Sequence, residues 1–228
     1  MSEVTDRPAS GAKARGADLA RLVAIIPVRT LEGSKSRLGG SLDAEERQDL
    51  VRLLLERTIL AARLVPEIAS VLVVSPDPVI LELAVAQGAE ALQQHGEGLN
   101  EGLDEAVGHA TAAGATAVLV LAADLPSISD TSIGEIVATA GAAATTNRAI
   151  VVVVPDRHGR GTNALLLSPP DAIRFAFGVD SRIAHEAAAR AVDALSLEVD
   201  GPLSLDLDLP EDLTLAEERG LLDPAHGG

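Results

Sequence analysis

Short apolar runs alternate with amphipathic stretches along the chain from residue 22 onward, and this alternation predicts the secondary structure. Uninterrupted runs rich in valine, isoleucine and leucine indicate strands that are buried on both faces. Such runs predict strands at 22–28, 70–75, 117–123, 149–155 and 163–168, with weaker patterns at 89–93 and 195–199. Apolar positions at helical spacing, together with capping and stop residues, predict helices at 43–64, 78–87, 99–114, 129–141, 182–194 and 210–219.

The order of these elements predicts the fold class. Buried strands that alternate with helices are typical of an α/β protein with a mostly parallel sheet and helices on both of its faces. No linker divides residues 21–228, so we expect a single domain there. Residues 1–20 are small and polar, which predicts a flexible N-terminal tail.

Composition and charge exclude several classes of function. The chain of 228 residues has no cysteine, so it has no disulfide framework, thiolate nucleophile or cysteine-bound metal. Its net charge of −16 disfavours binding to nucleic acids and to anionic membrane surfaces. No apolar stretch approaches the ~20 residues that a membrane span needs. We therefore expect a cytoplasmic protein, monomeric or homodimeric, without nucleic-acid or membrane partners.

Acidic residues lie where ligands of α/β sheets bind, beyond the carboxyl ends of strands. The run AVLVLAADLP (117–126) places Asp124 at the end of a buried strand, and LDLDLPEDL (205–213) contains Asp206 and Asp208. Because Asp206 and Asp208 alternate, they point to the same side of an extended segment. Two interpretations remain open. In the first, the three carboxylates bind Mg²⁺. In the second, they are structural: Asp124 stabilises a turn and Asp208 caps the next helix.

Basic residues follow the first predicted strand, where mononucleotide-binding folds contact phosphates. The segment contains Arg29, Lys35 and Arg37, and Lys35 is the only lysine of the predicted domain. Neither the GxxxxGK[ST] nor the GxGxxG phosphate-binding pattern is present. The loop either neutralises a bound triphosphate or is a solvated basic loop.

A glycine-rich block predicts a second anion-binding region. It consists of GRGTNALLLSPP (159–170) and RFAFGVDS (174–181). Its glycines allow backbone N–H groups to approach an anion closely, and Thr162 and Ser181 add hydroxyl groups. The only two phenylalanines flank Gly178, and they either fill the core beneath this loop or wall off a pocket.

Taken together and in this order, the motifs resemble a known family. PVRTLEGSKSRL, GLNEGLDEAV, AADLP, the glycine-rich block and LDLDLPEDL are similar to the 2-phospho-L-lactate guanylyltransferase family, including its bacterial phosphoenolpyruvate guanylyltransferase branch. The resemblance covers residues 22–220. It implies a GT-A-like (Rossmann-like) nucleotidyltransferase fold in one domain. It also implies Mg²⁺-dependent transfer of GMP from GTP to phosphoenolpyruvate or 2-phospho-L-lactate, with release of diphosphate. The product would pass to a downstream transferase of coenzyme F420 (deazaflavin) biosynthesis.

The resemblance implies a role for each matching residue. The residues implied to bind the acceptor are Thr162, Gly178 and Ser181. Those implied to hold the metal are Asp124, Asp206 and Asp208. Those implied to contact the nucleotide are Arg29, Lys35 and Asn100. Those implied to act in catalysis are Asp124, Lys35 and Arg37.

Two positions depart from the family pattern. Arg29 stands where lysine is expected, which keeps the charge but changes its geometry. Arg160 makes the block GRGT rather than GTGT, so Arg160 either contacts an anion or points to solvent.

Other functions remain open at this point. The chain could instead be a nucleotidyltransferase of the same fold that uses 3-phosphoglycerate or a sugar phosphate as acceptor. Its first loop lacks the LxGGxSxRMG pattern that is expected for sugar phosphates. A non-catalytic GTP-binding regulator could lose the carboxylates, yet all three are present. The five histidines show no metal-ligand spacing, and none is assigned a role.

Overall fold

The computed structural model of the protein describes residues 16–31, 35–146 and 148–222. Its strands are β1 (Leu22–Pro27), β2 (Ile68–Ser75), β3 (Glu90–Gln93), β4 (Ala117–Leu121), β5 (Ile150–Pro155), β6 (Thr162–Ser168) and β7 (Leu195–Glu198). Its helices are α1 (Ala44–Leu64), α2 (Pro78–Ala86), α3 (Leu99–Ala112), α4 (Asp130–Ala143), α5 (Ser181–Ala191) and α6 (Pro210–Glu218). Short 3₁₀ helices lie at Ser36–Leu38, Ala144–Thr146 and Pro202–Ser204.

The seven strands form one sheet in the order β3-β2-β1-β4-β6-β5-β7, which confirms the predicted mostly parallel α/β architecture. Only β6 runs antiparallel to its neighbours β4 and β5. The connection between β5 and β6 is too short to hold a crossover helix, so the chain turns back as a hairpin. As a result, the amino end of β6 lies beside the carboxyl ends of β4 and β5.

Apolar side chains fill both faces of the sheet. Helices α1, α2 and α4 cover one face, and α3 and α5 cover the other. A third, smaller cluster joins the first loop to the segment before α6, because Leu38 packs with Leu205 and Leu207 and with Leu54 of α1. This cluster fixes the positions of the two loops that carry the predicted charged residues.

The described part of the N-terminal segment is attached to the domain. The backbone N–H of Ala17 donates to the carbonyl of Arg148 (3.0 Å), and the N–H of Asp18 donates to Ser168 Oγ (2.8 Å). The prediction of a flexible tail therefore does not apply to these two residues, since they gain specific partners. Residues 1–15, to which the rest of that prediction refers, lie outside the described residues.

Element boundaries differ slightly from prediction. Helix α5 ends at Ala191 rather than at 194, because the chain turns through Asp193 in the left-handed conformation (φ 55°). Strand β4 ends at Leu121, which leaves Asp124 in the turn that follows. Within the described residues, no helix combines the length and the apolar character that crossing a membrane requires.

Candidate active site

Three carboxylates meet at the carboxyl end of β4. One oxygen each of Asp124, Asp206 and Asp208 lies within 4.8 Å of the others. The N–H of Leu207 donates to the carbonyl of Asp124 (3.1 Å) and so joins the two segments. Because Leu205 and Leu207 are buried, Asp206 and Asp208 face the same side, as their alternation predicts. The structure thus brings together the three carboxylates that the sequence suggested.

Asn163 holds the segment that precedes these aspartates. It follows Thr162 in β6, and its buried side-chain amide donates to the carbonyls of Leu203 (2.9 Å) and Ser204 (3.0 Å). The backbone carbonyl of Asn163 also accepts from the N–H of Ala122, just before Asp124. A single residue therefore ties both acidic loops to the start of β6.

Asp212 positions Asp208. The Oδ2 atom of Asp212 accepts hydrogen bonds from the backbone N–H groups of Asp208 (3.1 Å) and Leu209 (2.7 Å) at the start of α6. Its Oδ1 atom lies 2.6 Å from Arg157 Nη2, in an ion pair that is not aligned as a hydrogen bond. The alternative prediction that Asp208 caps α6 is wrong, because Asp212 fulfils that role. The Asp208 carboxylate is thereby left to face the cluster.

Two basic side chains of the first loop contact the carboxylates. The ammonium of Lys35 hydrogen-bonds to Asp124 and lies 3.5 Å from Asp208, and Arg37 Nη1 lies 3.0 Å from the other oxygen of Asp208. The Lys35 backbone is left-handed (φ 53°), and the nearby Leu38 is buried. Burial lowers the pKa of Lys35, but the carboxylates outweigh this effect and raise its pKa above the ordinary value. Lys35 is therefore a fixed cation.

The two basic side chains, Lys35 and Arg37, do not balance the three negative charges of the carboxylate cluster. Burial, together with the negative charges of Asp124 and Asp208, raises the pKa of Asp206 to about 6. Clustered carboxylate oxygens are the ligands that Mg²⁺ prefers, and a divalent ion would offset this repulsion. The donor set therefore fits Mg²⁺. Arg29 follows β1 at the same end of the sheet and is exposed, without a described contact to the cluster.

Thr162 and Ser181 also meet, as the glycine-rich block suggested. Ser181 Oγ and Thr162 Oγ1 lie 3.2 Å apart and share a hydrogen bond, and both residues are buried. Register places them near the acidic cluster, since Leu121 of β4 pairs with Ala164 of β6. The amino end of β6 therefore presents hydroxyl groups at the sheet edge that carries Asp124.

His185 completes this hydroxyl pair and was missed by the sequence analysis. Its Nδ1 atom lies 3.1 Å from Thr162 Oγ1, and its Nε2 atom accepts from the N–H of Ala176 (3.0 Å). The ring is fully buried, and burial lowers the pKa of His185 to about 4. One signal was available: His185 lies four residues after Ser181, on the same face of α5.

The loop that precedes α5 is clamped by Asn100. The Asn100 amide donates to the carbonyl of Phe177 (3.0 Å) and accepts from its N–H (2.9 Å). The structure thus gives Asn100 a role in holding this loop, and its contact with a nucleotide stays a prediction.

Gly178 has φ 131°, which favours glycine, and there is open space where a Cβ would lie. The Phe177 ring packs edge-on to His185 and, with Phe175, against the core, which supports core filling.

Arg160 pairs with a neighbour. Its Nε atom lies 2.6 Å from Asp180 Oδ1, although both side chains are largely exposed. Its carbonyl accepts from the N–H of Arg182 (3.0 Å), so the β5–β6 hairpin is attached to the start of α5. The Arg160 side chain is therefore largely exposed to solvent beside Asp180, and its contact with a bound anion stays a prediction.

Comparison with known proteins identifies relatives over most of the chain. Residues 22–217 match the family described as "Guanylyl transferase CofC like". The phosphoenolpyruvate guanylyltransferase of Sphaerobacter thermophilus is 43% identical over 193 residues, which cover 84% of this chain and 90% of that protein. The enzyme of the same name from Rubrobacter xylanophilus is 41% identical over 198 residues, covering 86% and 94%.

Solved structures share the fold at low sequence identity. A putative nucleotide-diphospho-sugar transferase from Desulfovibrio desulfuricans G20 superposes with a TM-score of 0.69 at 16% identity, over 90% of this chain and 89% of that one. A 4-diphosphocytidyl-2C-methyl-D-erythritol synthase superposes with a TM-score of 0.60 at 18% identity, over 89% and 98%. The predicted nucleotidyltransferase fold is therefore confirmed.

Proposed function

The chain belongs to the CofC-like guanylyl transferase family, and on this premise we propose that it transfers GMP from GTP to phosphoenolpyruvate and releases diphosphate, with Mg²⁺ as cofactor. One observation carries the proposal. The three-carboxylate cluster, with Lys35 and Arg37 against it, lies at the same sheet edge as the Thr162–Ser181 hydroxyl pair. The same end of the sheet thus offers carboxylates for a cation and hydroxyl donors for an anion, which supports transfer of a nucleotidyl group from a triphosphate to a phosphate monoester.

Each group of residues has a distinct task. Asp124, Asp206 and Asp208 would hold Mg²⁺, and bound Mg²⁺ would neutralise negative charge on the GTP phosphates. The side chains proposed to contact the triphosphate and the leaving diphosphate are Arg29, Lys35 and Arg37. Those proposed to hold the phosphate and carboxylate of the acceptor are Thr162, Ser181 and the backbone at Gly178.

The reaction needs no general base from the protein. A phosphate oxygen of the acceptor attacks the α-phosphorus of GTP, and a new phosphorus–oxygen bond forms there. The bond from the α-phosphorus to the oxygen that bridges to the β-phosphorus breaks, and diphosphate leaves with its electron pair. Because the second pKa of a phosphate monoester is about 6, the attacking oxygen is already ionised at neutral pH. Catalysis then consists of positioning and charge neutralisation.

The product defines the next step that we propose. A guanylylated phospho-acid carries a mixed diphosphate, and GMP is a good leaving group from such a bond. We therefore expect a downstream transferase of coenzyme F420 biosynthesis to consume it, in line with the family name. Other acceptors that remain to be compared are 2-phospho-L-lactate, 3-phosphoglycerate and a sugar phosphate.

The test combines acceptor choice with a matched pair of variants. Diphosphate release is measured with GTP, Mg²⁺ and each acceptor in turn, and the product is identified by mass spectrometry. Asp124→Asn removes one carboxylate of the cluster, whereas Asp104→Asn neutralises an exposed carboxylate on α3. We expect Asp124→Asn to lower kcat by at least ~100-fold, which is the usual scale for loss of a charged group that stabilises the transition state. Asp104→Asn should keep wild-type activity.

Three results would contradict the proposal. Wild-type activity of Asp124→Asn would remove that residue from the metal site. Release that depends on 3-phosphoglycerate or a sugar phosphate instead of phosphoenolpyruvate would favour another transferase of this fold. GTP binding without turnover on any acceptor would indicate a regulator.

A further inference from the structure

The hydrogen bonds around His185 determine which of its ring nitrogens carries the proton. Nε2 faces the backbone N–H of Ala176, which can only donate, so Nε2 accepts and carries no proton. The ring is neutral near pH 7, because burial lowers the pKa of His185 to about 4. A neutral imidazole has one N–H, which must then be on Nδ1. Nδ1–H therefore donates to Thr162 Oγ1.

Because His185 is the donor to Thr162, one hydroxyl proton of the Thr162–Ser181 pair has no acceptor within this network. Thr162 and Ser181 together have two hydroxyl protons, and one of them forms the hydrogen bond between the two oxygens. If Ser181 donates in that bond, both lone pairs of Thr162 Oγ1 are filled and the Thr162 proton must point elsewhere. If Thr162 donates instead, the Ser181 proton is the free one. In either case the Thr162–Ser181 pair presents one free hydroxyl donor.

We propose that His185 is a positioning residue that acts through Thr162, and that its Nδ1–H orients the Thr162–Ser181 pair to donate a hydrogen bond to the anionic acceptor. This inference rests on the proposed function, since the acceptor is taken to bind at this pair. The N–H of Ala176 has a supporting role, because it selects the ring tautomer. Hydrogen bonds to an ionised group are the stronger ones, so the orientation matters for acceptor affinity.

Two substitutions test the two hydrogen bonds of the His185 ring separately. His185→Asn places an amide N–H near the position of Nδ1 and can still donate to Thr162, but it does not reach Ala176. His185→Gln places an amide oxygen near the position of Nε2 and can still accept from Ala176, but it removes the donor to Thr162. Both replace a buried ring by a smaller amide, so their general effects on packing are similar.

The experiment measures the KM values of the His185 variants and asks whether the effect of His185→Gln depends on Thr162. We expect His185→Gln to raise KM for phosphoenolpyruvate about tenfold while KM for GTP stays within twofold, because one hydrogen bond to a charged ligand is lost. His185→Asn should keep KM for phosphoenolpyruvate within about threefold of wild type. In a Thr162→Val background, His185→Gln should cause no further rise, since the residue acts through Thr162. Circular dichroism melting of each variant identifies any that fail to fold.

The tautomer can be measured independently of turnover. Nitrogen-15 shifts of the His185 side chain should show a protonated Nδ1 and an unprotonated Nε2 between pH 6 and pH 8. The opposite tautomer, or additive effects of His185→Gln and Thr162→Val on KM, would overturn the inference. Equal KM increases in His185→Gln and His185→Asn would do so as well, because they would indicate a packing role alone. A wild-type protein with the expected tautomer but no activity on phosphoenolpyruvate would instead contradict the proposed function.

Discussion

Replacing Asp206 by asparagine should stabilise the metal-free protein. In the folded chain, burial and the charges of Asp124 and Asp208 raise the pKa of Asp206 from 3.8 to about 6. The unfolded chain ionises this group near its ordinary pKa, whereas the folded protein keeps the proton for about two further pH units. Ionised Asp206 therefore opposes folding, and wild-type stability falls as the pH rises through this interval.

The magnitude follows from the shift. Each pKa unit corresponds to about 1.4 kcal/mol, so the full penalty is about 3 kcal/mol above pH 7. Because the carboxyl group is only partly buried, solvent screening reduces this value to about 1–2 kcal/mol. Asparagine has similar size and no charge, so Asp206→Asn should gain this free energy of unfolding at pH 7.5. The gain should shrink towards pH 4.5, where folded wild type is protonated.

Urea unfolding in the presence of a chelator measures this effect. The chain has no tryptophan or tyrosine, so far-UV circular dichroism is the appropriate signal. Asp104→Asn serves as the control and should show no pH-dependent difference from wild type. Excess Mg²⁺ should stabilise wild type by mass action but leave Asp206→Asn nearly unchanged. The reasoning fails if Asp206→Asn is less stable than wild type in chelator at pH 7.5, or if its gain does not depend on pH.

Three other substitutions test how the loops are held. Asp212→Ala removes the acceptor of two backbone N–H groups and leaves Arg157 unpaired, so urea unfolding should show a loss of about 2–3 kcal/mol; stability within 0.5 kcal/mol of wild type would contradict this role. Asn163→Ala removes two hydrogen bonds to the carbonyls before Asp206, so the free energy of unfolding should fall by about 1–3 kcal/mol in the same assay. Calorimetry should also show weaker Mg²⁺ binding, and an unchanged Mg²⁺ affinity would contradict the role of Asn163 in holding this segment. Arg160→Ala breaks only an exposed pair, so its unfolding midpoint should not change and KM for the acceptor should stay within about threefold; a larger rise would assign Arg160 to the acceptor site.

The sequence predicts the strands and helices well, because their signals are local. Strands such as β4 and β5 are continuous apolar runs, and helices such as α1 combine an aspartate cap with apolar residues at helical spacing. The carboxylate cluster is predictable for the same reason. Asp124 ends an apolar run, and the buried Leu205 and Leu207 force their acidic neighbours to one side.

The residues that support the site escape prediction because their partners are distant in the sequence. Asn163 contacts carbonyls 40 and 41 positions away, and His185 contacts Thr162 23 positions away. Arg157, in the β5–β6 connection, pairs with Asp212 in the first turn of α6. A polar residue in an apolar strand, such as Asn163, reveals only that it needs a partner, and the fold decides which partner it finds.

Transfer of an α-phosphate label tests the central claim most directly. The protein is incubated with α-³²P-labelled GTP, Mg²⁺ and either phosphoenolpyruvate, 2-phospho-L-lactate, 3-phosphoglycerate or no acceptor, and products are separated within seconds. We predict that label enters a new species only with phosphoenolpyruvate, in step with diphosphate release, and that labelled ATP does not replace GTP. Label that stays in GTP with every acceptor, or that appears as free GMP at the same rate without acceptor, would contradict the account.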